Sequence, residues 1–193
     1  MSCMDCSGDG SGGGVGEVLV SREAIARRVT ELGREITAAY AGRELTIVAV
    51  LTGSLVFLAD LIRNIPGRVR ICPVFVSSYP GASTAPAGRP RLGPMPELPA
   101  GCDVLIVDDI LDTGQTLAVL IDHCRRQAGS VRTCVLLSKT RHRKQNRKIS
   151  VAVEADFVGF DIGEEFVVGY GLDYDNLYRN LPDIRVLLPR RNA

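Results

Sequence analysis

The chain lacks the marks of several protein classes. It has two histidines in 193 residues, His123 and His142. Neither has a partner at ligand spacing, so no histidine metal centre is indicated. No charge sign dominates: 23 Lys and Arg against 22 Asp and Glu leave a formal net charge of +1. The chain as a whole therefore offers no electrostatic footprint for nucleic acid. No apolar run reaches membrane-spanning length, which excludes a hydrophobic transmembrane helix. No repeat is visible that would suggest a solenoid. The basic run 139–148 has no interleaved aromatics and reads as a solvated loop, not an RNA contact.

What is present is ordinary globular material, 46% hydrophobic and 23% charged. The length fits a single domain. Residues 1–16 are mostly Gly, Ser, Asp and Cys without an apolar segment. They read as a disordered tail, not a secretory signal, which leaves 17–193 as one domain with its core at about 40–140. Cys3 and Cys6 lie in that tail without partner ligands and read as incidental thiols. Cys72, Cys102, Cys124 and Cys134 read as small core or boundary residues, in keeping with a reducing cytoplasm.

Periodicity predicts a helix over 21–40, with Ser21 as N-cap and Ile25, Val29, Leu32 and Ile36 on one face. A strand is expected at 45–51, a helix at 55–65 and a strand at 69–77. A long proline-rich loop at 80–101 follows, of the kind that often serves as an active-site lid. A strand at 104–107 and a helix at 117–127 come next, with Gly129 where a C-cap is expected. Then come a strand at 130–138 and short strands near 151–153, 157–160 and 166–170. This order implies an α/β core with a small hood built from the terminal segments.

The most informative stretch is Val104-Leu-Ile-Val-Asp-Asp-Ile-Leu-Asp-Thr-Gly-Gln-Thr116. A buried strand runs into a loop and then into a helix amino terminus, the usual ligand position in an open α/β sheet. The helix end, with Thr113, Gly114 and Thr116, suits a phosphate. Asp108 and Asp109 suit ribose hydroxyls and Mg²⁺, a hard cation that takes carboxylate oxygens. Asp112 is left for proton chemistry. With its hydrophobic strand, two acids, two apolar residues, Asp-Thr-Gly and Thr, the segment resembles the phosphoribosyl-pyrophosphate motif of the type I phosphoribosyltransferases. That resemblance places Asp108, Asp109, Asp112, Thr113, Gly114, Gln115 and Thr116 around the phosphoribosyl group. It implies that family's fold, a central mainly parallel sheet flanked by helices under a small hood.

Residues 156–181, Asp-Phe-Val-Gly-Phe-Asp-Ile-Gly-Glu-Glu-Phe-Val-Val-Gly-Tyr-Gly-Leu-Asp-Tyr-Asp-Asn-Leu-Tyr-Arg-Asn-Leu, resemble the carboxyl-terminal signature of the hypoxanthine(-guanine) phosphoribosyltransferases. The resemblance implies a base site in which Phe157 stacks on the purine, the Val158 backbone meets the base edge and Lys139 donates to O6. Glu164 would lie near the second metal, making Asp108, Asp109 and Glu164 the implied Mg²⁺ set. Thr52 and Gly53 would bind pyrophosphate with help from Arg179, and Ser78 and Tyr79 would form the start of the mobile lid. Many family members carry lysine where this chain has Thr52. The implied reaction transfers 5-phosphoribose from phosphoribosyl pyrophosphate to a 6-oxopurine, with Asp112 as general base. The implied protein is a cytoplasmic homodimer or homotetramer. A xanthine-preferring relative and a non-catalytic purine-sensing regulator are the alternatives.

Overall fold

A computed structural model describes residues 14–77, 91–95, 97–139 and 153–188. Ser78, Tyr79, most of the proline-rich loop and most of the basic run lie outside these residues. The elements in chain order are β1 (Val15–Val20), α1 (Arg22–Tyr40), β2 (Leu45–Leu51), α2 (Leu55–Ile62), β3 (Val69–Ser77), β4 (Arg91–Leu92) and β5 (Asp103–Leu111). They continue with α3 (Gln115–Arg125), β6 (Ser130–Ser138), β7 (Phe157–Asp161), β8 (Val167–Val168) and β9 (Ile184–Leu187).

The main sheet has the order β4-β3-β2-β5-β6-β7. All its pairings are parallel except the short β4 on the edge of β3. A parallel sheet must be covered on both faces, and the central strands show this by alternation. Ile47 and Ala49 of β2 and Leu105 and Val107 of β5 face α1 and α2, where they meet Ile25, Val29, Leu32, Ile36, Phe57 and Leu61. The intervening Val48, Val50, Val104 and Ile106 face α3, where Leu117, Leu120 and Cys124 close the second core.

Helix α1 starts as its sequence dictates, with the Ser21 hydroxyl accepting from Ala24 N at 3.3 Å. Its far end is tied to the sheet by Tyr40 Oη, which donates to Val104 O at 2.9 Å. Arg28 reaches from α1 to β7 at the sheet edge, donating to Val158 O at 2.8 Å and Gly159 O at 3.1 Å. The hood is a second, antiparallel sheet of order β1-β9-β8.

Several boundaries differ from expectation. Val15 and Gly16 belong to β1 and pair with the β9 segment, so the hood claims the end of the stretch read as tail. β4 interrupts the proline-rich loop. α2 ends at Ile62, where the last turn tightens through Asn64 N to Leu61 O. β5 runs through both acids to Leu111, because Ile110 and Leu111 still pair with Leu137 and Ser138 of β6. Gln115 and Thr116 lie in the first turn of α3 and not in the loop. The C-cap of α3 is Arg126, while Gly129 N donates to Cys102 O at the turn into β6. Val153 is not in a strand, and only Val167–Val168 of the 166–170 stretch is. Cys72, Cys124 and Cys134 are buried and Cys102 half-buried, all as free thiols.

Candidate active site

The carboxyl ends of β2, β5 and β6 lie together at one edge of the sheet. β5 delivers Asp108 and Asp109 there. Asp108 is 6% exposed, and its Oδ1 accepts from Asp109 N at 3.0 Å. Asp109 Oδ1 accepts from Ile110 N at 2.8 Å. Burial pushes the Asp108 carboxyl well above the usual carboxylate range, and the neighbouring Asp109 charge adds to the effect. Burial raises Asp109 as well, while the positive charge of Arg179 works in the opposite direction. Two crowded, poorly solvated carboxylates are an arrangement that a divalent cation relieves, and their oxygens suit Mg²⁺.

Beyond Leu111 the chain exposes Asp112 and turns through Thr113 into α3, whose N-cap is Gly114. Gln115 N donates to Thr113 Oγ1 at 3.5 Å, and the first free amides of the helix open toward the same edge. Lys139 follows β6 directly, and its N donates to Leu111 O at 3.0 Å, which sets Lys139 beside Asp112.

The turn after β2 approaches this group from the other side. The Leu51–Thr52 peptide is cis. Thr52 is exposed, and the Ser54 hydroxyl donates to Val50 O, closing the turn. A Cβ at position 53 would overlap Asp109 Oδ2, so only glycine permits this approach. Arg179 completes the group from the segment after β8. It donates to Gly171 O at 2.6 Å and pairs with Asp173 at 2.7 Å. Behind it, a cleft of about 330 Å³ is lined by Arg22, Asp60, Tyr170, Arg179 and Asn180, among others.

The family model described as "Phosphoribosyl transferase domain" matches residues 17–175. The hypoxanthine-guanine phosphoribosyltransferase of Bacillus subtilis is 42% identical over 175 residues, covering 90% of this chain and 93% of that protein. This chain belongs to the phosphoribosyltransferase family. The bifunctional protein TilS/HprT of Listeria innocua is 44% identical over 177 residues, and the chain spans 26% of that longer protein. Among solved structures, a hypoxanthine-guanine phosphoribosyltransferase from Bacillus anthracis superposes with a TM-score of 0.80. It is 38% identical, with 91% of this chain and 100% of that one covered. A hypoxanthine phosphoribosyltransferase from Staphylococcus aureus gives 0.79 at 40% identity, covering 91% and 92%. Among the described residues, no helix of this phosphoribosyltransferase is long and apolar enough to cross a membrane.

The structure brings Thr52, Gly53, Asp108, Asp109, Asp112, Thr113, Gly114, Lys139 and Arg179 to one edge. It does not bring Phe157, Val158 or Glu164 into their expected roles. Phe157 pairs with Cys134 in the middle of β6, four residues short of the strand's end, and packs in the core. At about 3.3 Å per residue it lies about 13 Å below the site edge. The Val158 carbonyl is already bonded to Arg28. Glu164 is exposed, and no group of three or more acidic, His or Cys side chains is placed to hold a metal among the described residues.

The residues missed from sequence are Phe166 and Asp173. Ile162 N donates to Ser138 O, so the chain leaves β7 beside Lys139 and then reaches Phe166. That ring is 41% exposed and meets Tyr174 edge-on, with centroids 5.6 Å apart. Asp173 accepts from Asn176 N at 2.8 Å and shares Arg179 with the Asp109 side. A signal for them existed: a second Phe-Val pair, Phe166-Val167, follows Glu164-Glu165 and leads into Gly169 and Gly171.

Proposed function

We propose that this phosphoribosyltransferase moves 5-phosphoribose from phosphoribosyl pyrophosphate to a 6-oxopurine, hypoxanthine or guanine, releasing pyrophosphate in purine salvage. The observation that carries the reading is the edge at which the buried Asp108, the half-buried Asp109, the Asp112-Thr113-Gly114 turn into α3 and Lys139 converge. The names of the Bacillus and Staphylococcus relatives support the same substrate class.

The free amides at the start of α3 and the Thr113 and Thr116 side chains would hold the 5′-phosphate. Asp109, the more open acid of the pair, would accept hydrogen bonds from the ribose hydroxyls. Asp108 and Asp109 are the residues that would hold Mg²⁺ together with substrate oxygens. When bound, that ion would neutralise charge on the departing pyrophosphate. Gly53 and Arg179 would receive the pyrophosphate, the first by backbone and the second by charge. As the C1′–O bond breaks, C1′ becomes cation-like and a ring nitrogen of the purine bonds to it. Asp112 would take the proton from the purine imidazole as general base. Lys139 would donate to O6, an acceptor that a 6-amino purine lacks, and Phe166 would offer the purine an aromatic face.

The test is pyrophosphate release by the wild-type and Asp112→Asn proteins, with each base and with or without Mg²⁺. Turnover with hypoxanthine or guanine, lost without Mg²⁺, is expected. Asp112→Asn should lower kcat by roughly 10²–10⁴, the range for a lost general base. A wild-type protein that uses xanthine alone, or none of the bases, would contradict the reading.

A further inference from the structure

The segment that carries Arg179 is held in an unusual way. Tyr170 has φ +50, in the left-handed region, and is flanked by Gly169 at +98 and Gly171 at +100. A non-glycine residue persists there only when its surroundings enforce the conformation. Two backbone bonds contribute, Tyr170 N to Leu181 O at 2.8 Å and Gly171 N to Arg179 O at 3.0 Å. A further anchor comes from a different element. Tyr170 Oη donates to Asp60 Oδ2 of α2 at 2.6 Å, and the tyrosine as a whole is 7% exposed. Asp60 Oδ1 is itself paired with Arg63.

The consequence lies one residue further on. A Cβ at Gly171 would overlap the Gly53 carbonyl oxygen, so the two backbones touch. Gly171 O in turn accepts from Arg179 Nη1. A chain of contacts therefore runs from α2 through Asp60 and Tyr170 to Gly171, and there divides to Gly53 and Arg179. These are the two groups assigned above to pyrophosphate. Burial holds the Tyr170 phenol far above its ordinary range, with the Asp60 hydrogen bond adding to that, so the hydroxyl keeps the proton it donates.

We infer that Tyr170, through its hydroxyl on Asp60, is a positioning residue for the pyrophosphate half of the reaction: it sets the spacing between the Gly53 turn and the Arg179 guanidinium. The inference rests on the proposed phosphoribosyl transfer for the identity of the ligand. Losing the hydroxyl frees Gly171 to drift from Gly53, while Lys139, bonded to Leu111 O, and the start of α3 stay on their own supports.

The experiment is Tyr170→Phe, which keeps the ring and removes only the hydroxyl. Magnesium pyrophosphate binding is measured by calorimetry, and KM for phosphoribosyl pyrophosphate and for hypoxanthine by steady-state kinetics. Pyrophosphate binding should weaken five- to tenfold, with KM for phosphoribosyl pyrophosphate rising similarly. KM for hypoxanthine should stay within about twofold of wild type, and the circular dichroism spectrum should be unchanged. Asp60→Ala should match Tyr170→Phe and add nothing to it in the double variant, whereas Asp60→Asn, which keeps an acceptor, should bind as wild type does. If wild type binds pyrophosphate and folded Tyr170→Phe binds it equally well, the inference fails. An equal loss for base and phosphoribosyl pyrophosphate overturns it too, since that marks general loosening. If wild type binds no pyrophosphate, the functional reading fails and takes this inference with it.

Discussion

Phe157 and Phe166 show what a single side chain's depth decides. Both open a Phe-Val pair, and both are apolar enough for core or ligand. Phe157 is enclosed at mid-sheet, while Phe166 is 41% exposed in the segment between β7 and β8. Their alanine variants should therefore fail differently. Phe157→Ala removes a packed ring and should cost about 3–5 kcal/mol of stability. Phe166→Ala should leave the melting temperature nearly unchanged but weaken base binding by about 1–3 kcal/mol, the range for base–aromatic stacking. Thermal unfolding and KM for hypoxanthine, measured on both variants, separate the two roles. Loss of base affinity in Phe157→Ala with full stability would reverse the assignment. The stretch from Asp108 to Thr116 was legible because a buried strand, adjacent acids and a helix start each require particular residue types in fixed order. The purine side was not, because Phe-Val occurs twice and nothing local records how far along its strand a residue sits.

At the scale of elements, the bounds of β2 follow directly from its apolar run, since a strand covered on both faces needs hydrophobic residues on both, whereas β3 alternates, with Cys72 and Val74 buried and Ile71 and Phe75 exposed. β5 outlasts its run because Asp108 accepts burial at the site and the ladder to β6 continues past it. The hood strands carry little pattern. β1 is exposed along most of its length and pairs with β9 through register shifts, so neither alternation nor a run marks it. The end of α1 shows local chemistry settling a boundary. Its C-cap Ala41 sits at φ 50, donating to Thr37 O at 3.0 Å, a conformation that costs an L-residue about 1–2 kcal/mol. Glycine avoids that cost but loses more chain entropy on folding. Ala41→Gly should therefore gain about 0.5–1 kcal/mol, raising the melting temperature by about 1–4 °C. A lower melting temperature would show that the left-handed cap does not form.

Across the whole molecule, the sheet and the hood divide the work. The edge formed by β5 and β6 supplies Asp108, Asp109, Asp112 and Lys139. The segment between β8 and β9 supplies Asp173 and Arg179, and the turn after β2 joins the two through Gly53. In the proposed reaction this edge reads a 6-oxopurine, and Lys139 is where that recognition is concentrated. The most direct measurement is the ratio of kcat/KM for hypoxanthine to that for adenine, in wild type and in Lys139→Ala. Wild type should favour hypoxanthine strongly. The variant should lose about 10- to 150-fold of that preference, as expected when a hydrogen bond from a charged donor worth about 1.5–3 kcal/mol is removed. Wild-type turnover of adenine as fast as hypoxanthine, or an unchanged ratio in the folded variant, would rule out this role for Lys139.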